Sequence, residues 1–181
     1  MHDDVPTPEE LASHGPGSPS ASAIDWLKAL TGPGGLQAAW PLTDPDFRLA
    51  LIQDLLWSNR THPDIAGQDL DILAARVMQA DPADPLWAAF CTILEDKLAG
   101  FPDWMLGGQY GIAANPRPLL PDYELVLLVY DPTGKGFMWQ PGTMVRKQDF
   151  LMHSTAEGWR VAGLESSVPV PGWPPRFEQV A

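Results

Sequence analysis

Apolar residues in the first hundred positions recur every three or four residues, the spacing that predicts amphipathic helices. The clearest segment follows Asp44, which can cap a helix, and Pro45, whose backbone angle suits the first helical position. Two more segments follow, the second beginning with another Asp–Pro pair, and a shorter helix is predicted over 23–30. The three longer apolar faces are Phe47, Leu51, Ile52, Leu55 and Leu56; Leu70, Leu73, Ala74, Val77 and Met78; and Leu86, Trp87, Phe90, Cys91, Leu94 and Leu98.

After Gly100 the pattern changes to short segments bounded by glycine and proline. The segment from Tyr123 to Tyr130 is rich in β-branched and aromatic residues, which is typical of a buried strand. The other predicted strands are one around Tyr110, one at 137–139, and a hairpin with arms at 144–153 and 159–164. Helices followed by antiparallel strands predict an α+β fold, with the N-terminal helices packed on a curved antiparallel sheet formed by the C-terminal half.

The chain has 181 residues, which suits one domain. Residues 1–22 are polar and rich in proline, serine and glycine, so we expect a flexible leader before a single α+β domain at 23–165. The Pro-rich tail at 166–181 is expected to be extended and polyproline-like. Trp173 in this tail is interpreted as an anchor onto the body, in preference to a ligand presented to a polyproline-binding partner.

The formal net charge is −12, from 11 Lys and Arg against 23 Asp and Glu. A surface of this sign repels phosphates, so nucleic acid and anionic membranes are excluded as expected partners. The sequence contains no apolar run long enough to cross a membrane, and its acidic start is unlike a secretory signal. With Cys91 as the single cysteine, these features predict a cytoplasmic protein.

Residue spacings give little support for metal or nucleophilic chemistry. The four histidines lie at no metal-ligand spacing, and no metal or cofactor is expected. His153 and Ser154, with Asp149 nearby, lack the sharp turn that exposes a nucleophilic serine. Cys91 lies on the apolar face of a predicted helix, where core packing is expected.

Several polar and aromatic residues are candidates to line a ligand site. Asp44 and Arg48 lie four residues apart beside Trp40, where a local cap and ion pair is the favoured interpretation. Tyr123 and Tyr130 bracket the central strand on opposite faces, so at most one can face a cavity. The segment between helices and sheet adds three residues, since loops often carry function. The ligand-lining candidates are Asp44, Arg48, Trp104, Tyr110, Arg117 and Tyr123.

Three features carry a resemblance to a known family: the order of elements, the strand Glu124-Leu125-Val126-Leu127-Leu128-Val129, and the closing Gly158-Trp159-Arg160-Val161-Ala162-Gly163. They resemble the nuclear transport factor 2-like superfamily, also called SnoaL-like or cystatin-like. The resemblance covers about residues 40–165. It implies a cone-shaped cavity beneath the helices and, in many members, a dimer formed through the sheets. A second resemblance lies in three segments, around Trp40-Pro41-Leu42, Pro116-Arg117-Pro118 and Pro171-Gly172-Trp173-Pro174-Pro175. These segments resemble actinobacterial proteins with no assigned activity.

Three hypotheses for function follow. The leading one is a non-catalytic cone-fold module that acts through protein contacts, including a homodimer, or through a small apolar ligand, because no catalytic polar groups converge in the sequence. The second is a SnoaL-like small-molecule enzyme of the isomerase, cyclase or dehydratase type, with an inward Asp or Tyr as acid or base. The third is an acidic antidote or immunity-type protein that covers a basic surface.

Overall fold

The computed structural model describes residues 14–98, 105, 107–112, 116–131 and 146–180. Within these residues five helices precede seven strands in antiparallel sheets, which confirms the α+β prediction. The helices are α1 (Pro19–Thr31), α2 (Gly35–Ala39), α3 (Pro45–Ser58), α4 (Leu70–Met78) and α5 (Pro85–Leu98), with a 3-10 turn at Trp40–Leu42. The strands are β1 (Tyr110–Ile112), β2 (Arg117–Leu120), β3 (Tyr123–Tyr130), β4 (Lys147–Thr155), β5 (Gly158–Gly163), β6 (Ser167–Val170) and β7 (Arg176–Gln179).

Helix α1 begins four residues before the predicted start at Ala23. The hydroxyl of Ser18 accepts a hydrogen bond from the Ala21 N–H at 3.1 Å, and Pro19 occupies the first helical position. Serine followed by proline therefore starts this helix in the way that Asp44 and Pro45 start α3. The last four residues of the predicted leader are helical, and Ser20 is buried, so the leader prediction is wrong for this part.

The main sheet has five strands in the order β1-β3-β4-β5, with β2 also paired to β3. Strands β3 and β4 pair from Tyr123 opposite His153 to Val129 opposite Lys147. The predicted hairpin between β4 and β5 is confirmed, and the register shifts between Leu151 and Met152. The predicted strand at 137–139 and the first residues of the predicted strand at 144–153 lie outside the described residues.

The C-terminal tail forms a second, two-stranded antiparallel sheet of β6 and β7, so the prediction of a polyproline-like tail is wrong. Pro169 is accommodated opposite Phe177 because a strand in a two-stranded sheet has one unpaired side. The Gly172 N–H donates to Gln53 Oε1 on α3, and Trp173 Nε1 donates to Asp71 Oδ1 on α4, both at 2.8 Å. Trp173 also packs against the helical core, which supports its interpretation as an anchor.

Two apolar clusters form the core. In the first, Trp26 on α1 packs edge-on against Phe150 on β4, with ring centroids 5.9 Å apart. In the second, among the helices, the rings of Trp40, Trp87 and Phe90 lie 4.9 to 5.5 Å apart. Full burial of one such side chain contributes roughly 3 kcal/mol to folding. The clusters share Leu30, Leu51 and Leu164 at their border and so form one continuous core.

None of the helices in the described ranges combines the length and apolar character that crossing a membrane requires.

Candidate functional site

The start of helix α3 is fixed against the edge of strand β5. Thr43 forms an isolated parallel bridge with Val161, and the Asp44 N–H donates to the Val161 carbonyl at 2.9 Å. Trp26 Nε1 donates to Thr43 Oγ1 at 2.8 Å, and that hydroxyl donates to the Ala39 carbonyl. Contacts from α1, α2 and β5 therefore determine the position of the Asp44 side chain.

Asp44 caps α3 as predicted and also contacts His153. Its Oδ1 atom accepts from the N–H groups of Asp46 at 2.9 Å and Phe47 at 3.2 Å. Its Oδ2 atom lies 2.7 Å from His153 Nδ1, and the carboxyl side chain is only 2% exposed. An ionised carboxylate only accepts hydrogen bonds, so Nδ1 carries the proton. The lone pair of the neutral imidazole is then on Nε2, which no described residue contacts by a hydrogen bond.

Tyr123 covers one face of the His153 ring. The two residues are opposite each other on β3 and β4, and their rings are stacked with centroids 4.3 Å apart and planes within 1° of parallel. Burial raises the pKa of Tyr123, and the carboxylates of Asp44, Asp46 and Asp122 act in the same direction. The phenol therefore keeps its proton at neutral pH.

Two arginines lie beside this pair. Arg48 is one turn along α3 from Asp44, with its guanidinium carbon 5.7 Å from the Trp40 ring centroid. Its Nε atom is buried and has no hydrogen-bond partner in the described part of the chain. Burial lowers the pKa of Arg48, a shift that Asp44 opposes and Arg160 reinforces. Arg160 pairs with His153 across β4 and β5. We call Asp44, Arg48, Tyr123, His153 and Arg160 the polar cluster.

The other predicted ligand-lining residues do not join the polar cluster. Tyr110 pairs with Tyr130, which is seven residues and roughly 23 Å along β3 from Tyr123. Tyr110 packs on the first core cluster, and burial raises its pKa. Arg117 is an exposed residue of β2 opposite Leu125. Trp104 lies outside the described residues.

His153 and Arg160 are the members of the cluster that sequence reasoning missed, and His153 is the one that contacts Asp44. The sequence suggested His153 only in combination with Ser154 and Asp149, but consecutive strand residues point to opposite faces, so Ser154 points away from the imidazole. Asp149 instead contacts Lys147 at 3.2 Å. The real partner, Asp44, is 109 positions away, and no local pattern signals a contact over that separation.

A second feature is an open cleft of about 280 Å³ between α3, α5 and the turn that follows α3. We call it the helical cleft. Its wall is largely apolar, and Leu56 and Phe90 are almost fully buried, whereas Ile93 is 39% exposed. The apolar lining residues are Leu55, Leu56, Ile65, Leu86, Ala89, Phe90 and Ile93.

The polar lining residues of the helical cleft come from the turn after α3. Asn59 Nδ2 donates to the Leu55 carbonyl at 2.8 Å, which leaves Oδ1 of the amide as an acceptor. The Asp64 carboxylate lies 3.7 Å from His62 Nδ1 and is 87% exposed. His62 Nδ1 accepts from the Asp64 N–H at 3.4 Å, so its Nε2 carries the proton and is a donor. This part of the cleft therefore offers two acceptor groups, one donor and a negative charge.

No group of three or more His, Cys, Asp or Glu side chains in the described ranges is placed to hold a metal ion. Comparisons with models of protein families, with curated proteins and with solved structures find no match.

Proposed function

We propose that this protein binds a small apolar molecule in the helical cleft. The observation that carries the proposal is a cleft of about 280 Å³ in which seven of the ten lining residues are apolar and the other three come from one turn. Apolar concave sites with a few grouped polar atoms are the usual form of small-molecule sites. This proposal develops the leading sequence hypothesis, which named a small apolar ligand.

The volume of the cleft determines the size of the ligand. A buried apolar cavity of about 150 Å³ holds one benzene molecule, and sites for drug-sized molecules begin near roughly 300 Å³. The helical cleft lies between these values. It therefore fits a molecule of one or two rings, or an aliphatic chain of similar volume.

The polar residues determine which end group the ligand carries. Asn59 Oδ1 and the Asp64 carboxylate are acceptors, so a matching ligand presents an N–H, O–H or ammonium donor. The net charge of −12 also disfavours anions. The ligand class is therefore a neutral or cationic small molecule with an apolar body and one donor.

Three indole probes test this class, because they share one ring system and differ in charge. Calorimetric titration with indole, tryptamine and indole-3-acetate is expected to give binding of the first two. Indole-3-acetate is expected to bind about fivefold more weakly than tryptamine, a typical size for one exposed charge contact. Asp64→Asn is expected to reduce this difference. Absence of binding by both indole and tryptamine would contradict the proposal.

Two substitutions on adjacent residues of α5 locate the site. Ala89 lines the cleft, whereas Ala88 is exposed on the same helix and is not a lining residue. Ala89→Trp places an indole ring in the cleft and is expected to weaken tryptamine binding at least about tenfold, the loss of one well-packed apolar contact. Ala88→Trp is expected to bind as the parent protein does. Equal affinities for the two variants would place the ligand elsewhere.

The cone-fold resemblance, a protein partner or homodimer, and the acidic-antidote hypothesis stay predictions.

A further inference from the structure

We propose that the polar cluster is a second site, separate from the helical cleft, where His153 transfers protons as a general base and then a general acid. Asp44 is its positioning residue. The basis is the 2.7 Å contact between Asp44 Oδ2 and His153 Nδ1, made by a carboxyl side chain that is 2% exposed. A carboxylate that binds one ring nitrogen fixes the tautomer and directs the other nitrogen to the reacting molecule.

The position of the ring indicates where a substrate can approach. The Nδ1 edge of His153 faces Asp44, and Tyr123 covers one ring face. The histidine side chain is still 26% exposed. Arg160 on β5 pairs with His153 on the side away from Tyr123. We therefore infer that the exposed area includes the ring edge that carries Nε2, where a small molecule reaches that nitrogen from solvent.

The surrounding charges suit the transfer of a proton to Nε2. The imidazolium that forms lies against the Asp44 carboxylate, which stabilises its positive charge and opposes the repulsion from Arg160, the neighbour of His153 on β5. Arg48 has a buried Nε donor without a hydrogen-bond partner in the described part of the chain, and Tyr123 keeps its phenolic proton. Tyr123 can donate its phenolic proton toward negative charge that develops on a substrate, whereas Arg48, whose Nε atom is buried, acts on that charge only through space.

The substrate class is therefore a small molecule with an acidic C–H next to a group that accepts negative charge. The Nε2 lone pair takes the proton, and the C–H electron pair moves into the substrate. The imidazolium then returns the proton to another atom of the same molecule or to water. The cycle regenerates neutral His153 and consumes no oxidant, reductant or cofactor.

The probe 5-nitrobenzisoxazole tests an accessible base directly. Removal of its C3 proton by Nε2 converts the C–H pair into a C≡N bond, the N–O bond breaks, and a coloured phenolate is released. We expect the protein to accelerate this elimination and His153→Gln to lower the protein-dependent rate at least about tenfold, a bound set below the roughly 10²- to 10⁴-fold that general-base catalysis contributes. His14→Gln, on an exposed histidine outside both sites, is expected to react as the parent does. A His153→Gln variant as fast as the parent would overturn the proposal.

The tautomer of His153 tests whether Asp44 positions the ring. A purely structural role of Asp44 would not determine which ring nitrogen carries the proton. Nitrogen NMR of the folded parent protein is expected to show a proton on Nδ1 and none on Nε2. In Asp44→Asn the side-chain amide can donate to Nδ1, so we expect the ring proton on Nε2 and a rate at least about tenfold lower. A parent protein with the proton on Nε2 would refute the proposal even if the variant does not fold.

Discussion

The helical cleft and the polar cluster differ in how the chain builds them. The cleft is formed by residues between Leu55 and Ile93, on α3, on the turn after it and on α5, so its lining lies within about forty positions of the sequence. The polar cluster joins Asp44 on a helix to His153 on a strand, across 109 positions. Helical periodicity identifies the apolar faces that line the cleft, whereas the polar cluster depends on strand register and on the docking of α3 against β5.

The two regions also differ in what their polar groups contact. In the cleft the carboxylate of Asp64 is 87% exposed, and its contact with His62 is long. In the polar cluster the carboxylate of Asp44 is 2% exposed and accepts three hydrogen bonds. A buried carboxylate with several partners is expensive to disturb, whereas an exposed one is screened by water. We therefore expect substitutions in the polar cluster to affect stability more than substitutions at the polar residues of the cleft.

The largest expected effect comes from Asp44→Ala compared with Asp69→Ala. Both aspartates cap a helix by accepting two N–H groups, but Asp69 is exposed and contacts no histidine. Loss of an exposed cap costs about 1 kcal/mol. Asp44→Ala also leaves the His153 donor without its partner, so we expect a loss of about 3 kcal/mol. Urea denaturation measures both, and equal losses would show that the His153 contact adds no stability.

The next expected effect is on the rate at which the thiol of Cys91, on α5, is alkylated. Burial raises the pKa of its thiol to about 11, and the carboxylate of Glu95 acts in the same direction. Only the thiolate reacts with iodoacetamide, so alkylation at pH 8 is expected to be about a hundredfold slower than for a thiol with the ordinary pKa of 9.0. The rate is expected to rise about tenfold per pH unit up to pH 10. A rate that levels off below pH 9.5 would contradict this account.

The fold was predictable where each signal is local. The Asp44–Pro45 start of α3, the start of α5 at Pro85 and the strand Tyr123–Tyr130 all follow from capping residues and periodicity. The tail was predicted to be polyproline-like because its prolines lack the N–H groups that strand pairing uses, and this prediction is wrong. In an antiparallel pair, however, only alternate residues donate to a given neighbour, so Pro169 can occupy β6.

The candidate site was predictable only in part. Asp44, Arg48 and Tyr123 were selected from the sequence and do converge, but the residue that connects Asp44 with Tyr123 is His153. That contact requires β3 and β4 to pair with Tyr123 opposite His153. Strand register over such a distance depends on the packing of the whole sheet, which no short sequence pattern specifies.

A smaller effect on stability is expected from backbone strain at two positions, one after α4 and one beside the polar cluster. Ala80, after α4, and Asp122, beside Tyr123, both have positive φ angles, 51° and 65°. Alanine is disfavoured there, whereas aspartate tolerates this conformation better. We expect Ala80→Gly to stabilise the protein by about 1 kcal/mol and Asp122→Gly by about 0.3 kcal/mol.

Ala75→Gly provides the control for this comparison. Ala75 is an exposed position inside α4, so the same substitution is expected to destabilise by about 1 kcal/mol. Thermal unfolding of the three variants would show whether each substitution raises or lowers the stability of the protein. A stabilising Ala75→Gly, or a destabilising Ala80→Gly, would be inconsistent with a helical backbone at Ala75 and a positive φ at Ala80.

The most direct test of the proposed ligand site is methyl NMR of the protein titrated with indole. Aromatic rings shift the resonances of methyl groups that they contact, so the site is read from the residues that move. We predict concentration-dependent shifts at Leu55, Leu86 and Ile93 in the helical cleft and constant resonances at Val126 and Val161 in the first core cluster. Saturable shifts at Val126 and Val161 with none at the cleft methyls would contradict the account.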